Sequence, residues 1–177
     1  MIIIGEKLNG SIPSVGKAIA DRDEARIRHL ARIQSDAGAS FLDVCASVQE
    51  DTEVETLKWM LDLVQDESQV PICLDSPSQY TLAKALPLCK KPGLVNSVSL
   101  EGDKINVIFP IIADTPWKCI ALLCDDKGIP NSVERRMEVF EGIMKKAKEF
   151  GIDPSRLFID PLVVTLSTND AALTMFA

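Results

Sequence analysis

Short apolar runs that stop on a carboxylate or an amide, separated by amphipathic stretches, constrain this chain more than anything else in it. Residues 70–75 (VPICLD), 93–96 (GLVN) and 157–160 (LFID) end on Asp75, Asn96 and Asp160. Residues 40–43 (SFLD) end on Asp43, and residues 1–4 (MIII) lead straight into Gly5 and Glu6. A buried strand that finishes on Asp or Asn sets that group at the carboxyl edge of a sheet, which is where ligands bind in parallel α/β folds. One such strand is ordinary. Four or five point to a ring of polar groups around one site.

Strands are expected at 2–4, 41–45, 71–74, 94–98, 119–124 and 157–159, with helical periodicity filling the gaps. Residues 23–37 carry Ile27, Leu30, Ala31 and Ile33 ahead of Gly38, a natural helix stop. Residues 52–64 carry Val54, Leu57, Leu61 and Val64 at spacings of three and four. Further helices are expected at 78–89, at 102–113, where Pro110 argues against a straight helix, and at 132–150, with Ser132 as N-cap and Gly151 as the stop. Strand ends recur at about the 30-residue size of a βαβ unit, and regular alternation predicts a parallel sheet with helices outside it.

Two α/β architectures satisfy this pattern, a doubly wound open sheet and a (β/α)8 TIM barrel. No G-x-G-x-x-G or P-loop follows the first strand. Polar residues on successive strand ends favour the barrel, whose site draws on many strands. With about six strands in 177 residues, and residues 170–177 (DAALTMFA) reading as a helix just begun, the expectation is a single domain over 1–177. It would supply about the first six βα units of a longer barrel, truncated at its C-terminus.

Composition excludes several function classes. A formal charge of -7 and a pI near 4.8 disfavour nucleic acid or an anionic membrane as partner. No run reaches the roughly 18–20 apolar residues of a membrane span, and the start MIIIGEK lacks the features of a signal peptide. The five cysteines are odd in number without a C-x-x-C pair, which suits reduced, buried thiols in the cytoplasm. The single histidine, His29, falls mid-helix with no partner nearby, so no metal site is expected.

A buried aspartate is costly unless it meets a donor or a cation. Asp75 and Asp160 each close an apolar run, so each calls for a specific partner. A carboxylate accepts two parallel N–H bonds from an amidine-like edge, as arginine or a 2-aminopyrimidinone offers, and Asn96 both donates and accepts. Together they suit a flat heterocycle with mixed donors and acceptors. Taken singly, each has a plainer reading as a cap or turn former: Asp75 precedes Ser76-Pro77 and Asp160 precedes Pro161. A glycosidase acid–base pair is disfavoured by an aromatic content of 5%. Mg²⁺ is disfavoured because no D-x-D pair stands on a strand end, and nucleophilic catalysis because no serine or cysteine has a plausible histidine base.

The opening IIIGEKLNGS, followed in order by ICLDS, LVNS, GIP and FIDPL, resembles the methyltetrahydrofolate-dependent corrinoid methyltransferases along essentially the whole chain. These belong to the pterin-binding barrels, with dihydropteroate synthase and the folate domain of cobalamin-dependent methionine synthase. The resemblance implies methyl exchange between 5-methyltetrahydrofolate and the cobalt of a corrinoid (cobalamin) carried by a partner protein, in a cytoplasmic homodimer. It assigns the pterin ring to Asp75, Asn96 and Asp160, and places Glu6, Asn9, Asp43 and Ser97 as possible contributors at the barrel mouth. The family's asparagine implicated in methyl transfer matches no position here and is expected beyond Ala177. The family's LDxN after the second strand is LDVCAS in this chain, with Cys45 where the amide usually stands. Two other readings are a dihydropteroate synthase-like enzyme, which usually has an S-x-R-P-G loop where this chain has ASVQED, and a non-catalytic folate-binding fragment.

Overall fold

The structure is a computed structural model that describes residues 1–163. Six strands follow one another in chain order, and the chain divides into two compact units, Met1–Asn96 and Ser97 onward. The expected helix at 170–177 lies outside the described residues.

The first unit contains β1 (Ile4–Asn9), α1 (Pro13–Ala20), α2 (Glu24–Asp36), β2 (Phe41–Cys45), α3 (Glu50–Glu67), β3 (Ile72–Asp75), α4 (Gln79–Ala85) and the start of β4 (Leu94–Leu100). Each strand pairs in parallel with the next. β2 is buried along its whole length, and Leu42, Val44, Cys73, Leu74, Leu94 and Val95 are fully enclosed. Such continuous burial is the mark of a parallel sheet covered on both faces. The helices turn their periodic apolar positions inward: Ile27, Leu30 and Ala31 from α2, and Leu57, Met60, Leu61 and Val64 from α3. Asp23 and Ser78 cap α2 and α4 through bonds to Arg26 N and Thr81 N. α4 tightens into a 3-10 turn at Leu86–Leu88, where Pro87 cannot continue an α-helix.

The first strand departs from the sequence expectation of 2–4. Met1, Ile2 and Ile3 are exposed, and β1 begins at Ile4 and runs on through Glu6 and Lys7 to Asn9. The cause is a bulge: three steps from Gly5 to Leu8 oppose two from Leu42 to Val44. Gln34 of α2 fills it, accepting from Lys7 N at 2.7 Å and donating to Leu30 O at 3.0 Å. Helix α1 was not anticipated either; a proline at its first turn was its one local signal.

The second unit carries the rest of β4, α5 (Lys104–Ile112), β5 (Lys118–Asp125), α6 (Val133–Glu149) and β6 (Leu157–Asp160). α5 continues across Pro110, whose ring faces outward, and buries Ile105, Ile108, Phe109 and Ile112. Ser132 caps α6 through Arg135 N, as expected. β5 and β6 pair in parallel from Cys119↔Leu157 to Leu122↔Asp160. Arg156, just before β6, gathers three backbone carbonyls, Ile112 O at 2.6 Å, Trp117 O at 2.8 Å and Ala113 O at 3.0 Å, and so closes the end of α5. No described helix is long and apolar enough to cross a membrane.

Candidate functional site

Strand register brings the polar strand ends of the first unit into one row. Asn9 is the cross-strand partner of Cys45, Cys45 of Asp75, and Asp75 of Asn96. In-register partners of a parallel sheet turn their side chains to the same face, and positions two apart share it. Asp43, paired with Cys73, therefore lies one level below Cys45 on that face. Four expected residues, Asn9, Asp43, Asp75 and Asn96, are thus brought together. Ser97 follows Asn96 within β4, where alternation turns it to the other face. Glu6 stands on β1 at the bulge, close enough that its charge is felt by Asp43 and Asp75.

Asp43 corrects the sequence expectation in one respect. It does not end its strand: β2 runs on through Val44 and Cys45, and Asp43 sits in the middle, 2% exposed. It is tolerated there because Asn96 donates its Nδ2 to Asp43 Oδ1 at 3.2 Å, with Cys73 as its in-register neighbour on β3. Burial first, then the neighbouring Asp75 charge, pushes the Asp43 carboxyl up to about 6, with Glu6 adding to the rise.

Asp75 is raised too, chiefly by burial and then by the charges of Glu53 and Glu6. Glu53 projects from α3 and is itself buried. The turn after β3 is built without the Asp75 side chain: Ser76 N donates to Asn96 O, and Ser78 N to Ser76 Oγ. The capping role open to Asp75 in the sequence is therefore not the one it plays. Its carboxylate keeps lone pairs for a ligand. The same holds for Asn96: with Nδ2 committed to Asp43, its Oδ1 remains as acceptor. This face presents acceptors, and it suits a ligand edge that presents N–H groups.

Asp160 ends β6 as expected, in the second unit. One of its oxygens accepts from Leu162 N at 2.8 Å, so part of the turn-forming role does apply there. Leu162 has φ of 55°, and the buried guanidinium of Arg136 donates to Pro161 O, which pins this turn from α6.

Asn9 is held by three donors on its Oδ1: Ser11 N at 2.9 Å, Ser11 Oγ at 2.6 Å and Ser47 Oγ at 3.1 Å. Its neighbour Gly10 is required by a close approach, since a Cβ there would stand 2.1 Å from Ala46 O. Sequence reasoning assigned no role to Ser47 or Glu53, and noted Cys45 as a buried thiol and as a departure from a motif. The one sequence signal for Cys45 was its position two residues after Asp43. Among the described residues, no group of three His, Cys, Asp or Glu is placed to hold a metal ion.

The family model of pterin binding enzymes matches residues 8–176. The chain belongs to the pterin-binding enzyme family. Among its curated relatives is a methylcorrinoid:tetrahydrofolate methyltransferase of Eubacterium limosum, 49% identical over 178 residues, covering 99% of this chain and 66% of the relative. The methionine synthase of Mycobacterium leprae is 28% identical over 96% of this chain and 15% of its own length. The chain therefore spans under two thirds of each relative. Dihydropteroate synthase from Xanthomonas albilineans, solved with 7,8-dihydropteroate, superposes with a TM-score of 0.63 at 18% identity, over 98% of this chain and 64% of that one. At that identity the likeness shows the fold. It is the parallel α/β class expected from the alternation, a (β/α)8 barrel fold to which this pterin-binding chain contributes six described strands.

Proposed function

We propose that this chain forms the folate-binding part of a methyltransferase that passes a methyl group between a methylated corrinoid and tetrahydrofolate. The observation that carries the reading is the acceptor face of β2–β4: the open Asp75 carboxylate beside an Asn96 oxygen left free by the bond to Asp43. A pterin matches it, because the 2-amino group and N3–H form a parallel pair of donors that one carboxylate accepts together. The near-complete coverage of this chain by a methylcorrinoid:tetrahydrofolate methyltransferase supports the reaction class.

In this reading Asp75 takes the amidine-like edge and Asn96 takes a neighbouring N–H. Asp43 fixes the Asn96 amide and does not itself receive the ligand. Glu6 and Asn9 stand at the mouth. The protein's task is orientation: with the ring locked, N5 is aimed at the methyl carbon for in-line displacement. As the new N–C bond forms, the methyl–cobalt bond breaks, its electron pair stays with the corrinoid and the N5 proton is released. Transfer in the opposite sense requires that proton back on N5, because an unprotonated amine leaves poorly. The corrinoid is a substrate delivered by a separate protein to the carboxyl edge of the strands. A cytoplasmic homodimer completes the reading.

The test is incubation of the purified full-length protein with methylcobalamin and tetrahydrofolate, following cobalt absorbance and 5-methyltetrahydrofolate by chromatography. Stoichiometric loss of methylcobalamin and gain of methylated folate is the expected result. An unchanged spectrum, with either free methylcobalamin or a methylated corrinoid protein as donor, contradicts the reading.

A further inference from the structure

Asn9 is the member of the strand-end row whose side chain offers two uncommitted N–H groups. It closes β1 in register with Cys45, two strands from Asp75, and shares their face. Its Oδ1 accepts from Ser11 N at 2.9 Å, Ser11 Oγ at 2.6 Å and Ser47 Oγ at 3.1 Å. A backbone N–H can only donate, so the atom facing Ser11 N is the oxygen, and the orientation of the amide is fixed. Among the described residues, no group accepts from Asn9 Nδ2.

The turn after β1 does not by itself call for an asparagine. An aspartate accepts from the residue two ahead equally well, so what the amide adds is its pair of N–H groups. Nor does the turn need Ser47, which comes from beyond β2. That residue holds φ of 50°, in the left-handed region, and brings a third bond to the same oxygen. Asn9 is half-buried, and these three bonds hold its amide in one orientation.

We infer that Asn9 is a specificity-determining residue of this site: its fixed N–H pair meets a hydrogen-bond acceptor that the ligand carries beside its donor edge. The inference rests on the pterin reading, in which that acceptor is the 4-oxo group. Along the pyrimidinone edge of a pterin the order is N–H, N–H, C=O. Along the strands the order is Asn96, Asp75, Cys45, Asn9. With the outer N2–H on Asn96 and the parallel N2–H and N3–H on Asp75, the 4-oxo group is turned toward β2 and β1. Neighbouring strands stand about 4.8 Å apart, so the backbones of Asp75 and Asn9 are roughly 9–10 Å apart, a span that a ring edge and two side chains fill. Cys45, between them, is small and lies against Ser47 Oγ at 3.2 Å. Two acceptors alone would admit any amidine-like edge. The Asn9 donor restricts the site to an edge that ends in a carbonyl.

The experiment is equilibrium titration of the full-length protein, and of Asn9→Asp and Asn9→Ala, with a tetrahydropterin and its 4-thioxo analogue. The analogue keeps both edge N–H groups and exchanges a strong acceptor for a weak one. Wild type is expected to bind the 4-oxo compound about three- to tenfold more tightly, the worth of one net hydrogen bond. Both variants are expected to abolish that preference. The two probes carry the same charge, so their ratio is insensitive to the charge that aspartate adds. Asn9→Asp keeps an oxygen for Ser11 and Ser47, so it carries the test if alanine loosens the turn. The same preference in all three proteins, or no preference in wild type, overturns the inference and leaves the pterin reading standing. Wild type that binds neither compound contradicts the pterin reading itself, and the inference with it.

Discussion

Replacing Asp75 with asparagine is expected to weaken tetrahydrofolate binding tenfold or more while leaving the fold as stable as before, or more so. The two effects have separate causes. Asparagine removes a charge-assisted acceptor, a loss of about 1.5–3 kcal/mol, and sets an NH2 against the donors of the pterin edge. In the unliganded protein, however, the half-buried Asp75 carboxylate stands near the acids Asp43, Glu53 and Glu6. Removing its charge relieves that crowding. Isothermal titration with tetrahydrofolate, paired with urea unfolding of the same samples, reads both. Equal affinity in wild type and variant refutes the assignment of Asp75. Equal loss of affinity and stability shows that the residue serves the fold.

Stability should fall as pH rises through about 6, and Asp43 is the reason. Its carboxyl is pushed up to about 6 in the folded protein by burial and by Asp75, against about 3.9 in an unfolded chain. The folded state therefore holds the proton more tightly than the unfolded state does. The stabilisation is fully present below about pH 4 and is lost as pH climbs past 6, amounting to roughly 2–3 kcal/mol over that window. Asp75, also raised, contributes in the same direction. Asp43→Asn keeps an oxygen for Asn96 Nδ2 and removes the charge, so it should flatten most of the slope and raise stability at pH 7. Asp75→Asn should shift the remaining transition to lower pH, because the Asp75 charge is one cause of the Asp43 shift. Urea unfolding at pH 5 and pH 7.5 measures both. A wild type no less stable at pH 7.5 than at pH 5 contradicts the assignment.

The elements that were plain in the sequence are those whose signals are local. β2 covers 41–45, the strand expected there, although the apolar run itself was read as closing on Asp43, and the run of β3 ends on Asp75. α6 begins at its serine cap and gives way at Phe150, just before Gly151. Two features were hidden because their causes are distant in the chain. β1 is displaced by a bulge that Gln34 fills from the next helix, and nothing within residues 1–9 announces it. Asp43 was expected at a strand end because buried carboxylates inside strands are rare. It is allowed mid-strand by an amide 53 residues away. The candidate site was legible as a set of strand-end groups, while the order within it needed register. That Asn9, Cys45, Asp75 and Asn96 share a row follows from three parallel pairings.

The central claim is that a face of acceptors on β2–β4 recognises the donor edge of a pterin ring. Its most direct test is equilibrium titration of the full-length protein with the two halves of the folate molecule taken separately, a tetrahydropterin and p-aminobenzoylglutamate. The account predicts saturable binding of the pterin half that is lost in Asp75→Asn and weakened in Asn96→Ala, with little or no binding of the tail. Binding of the tail alone, or of the pterin with the same affinity in wild type and both variants, would contradict it.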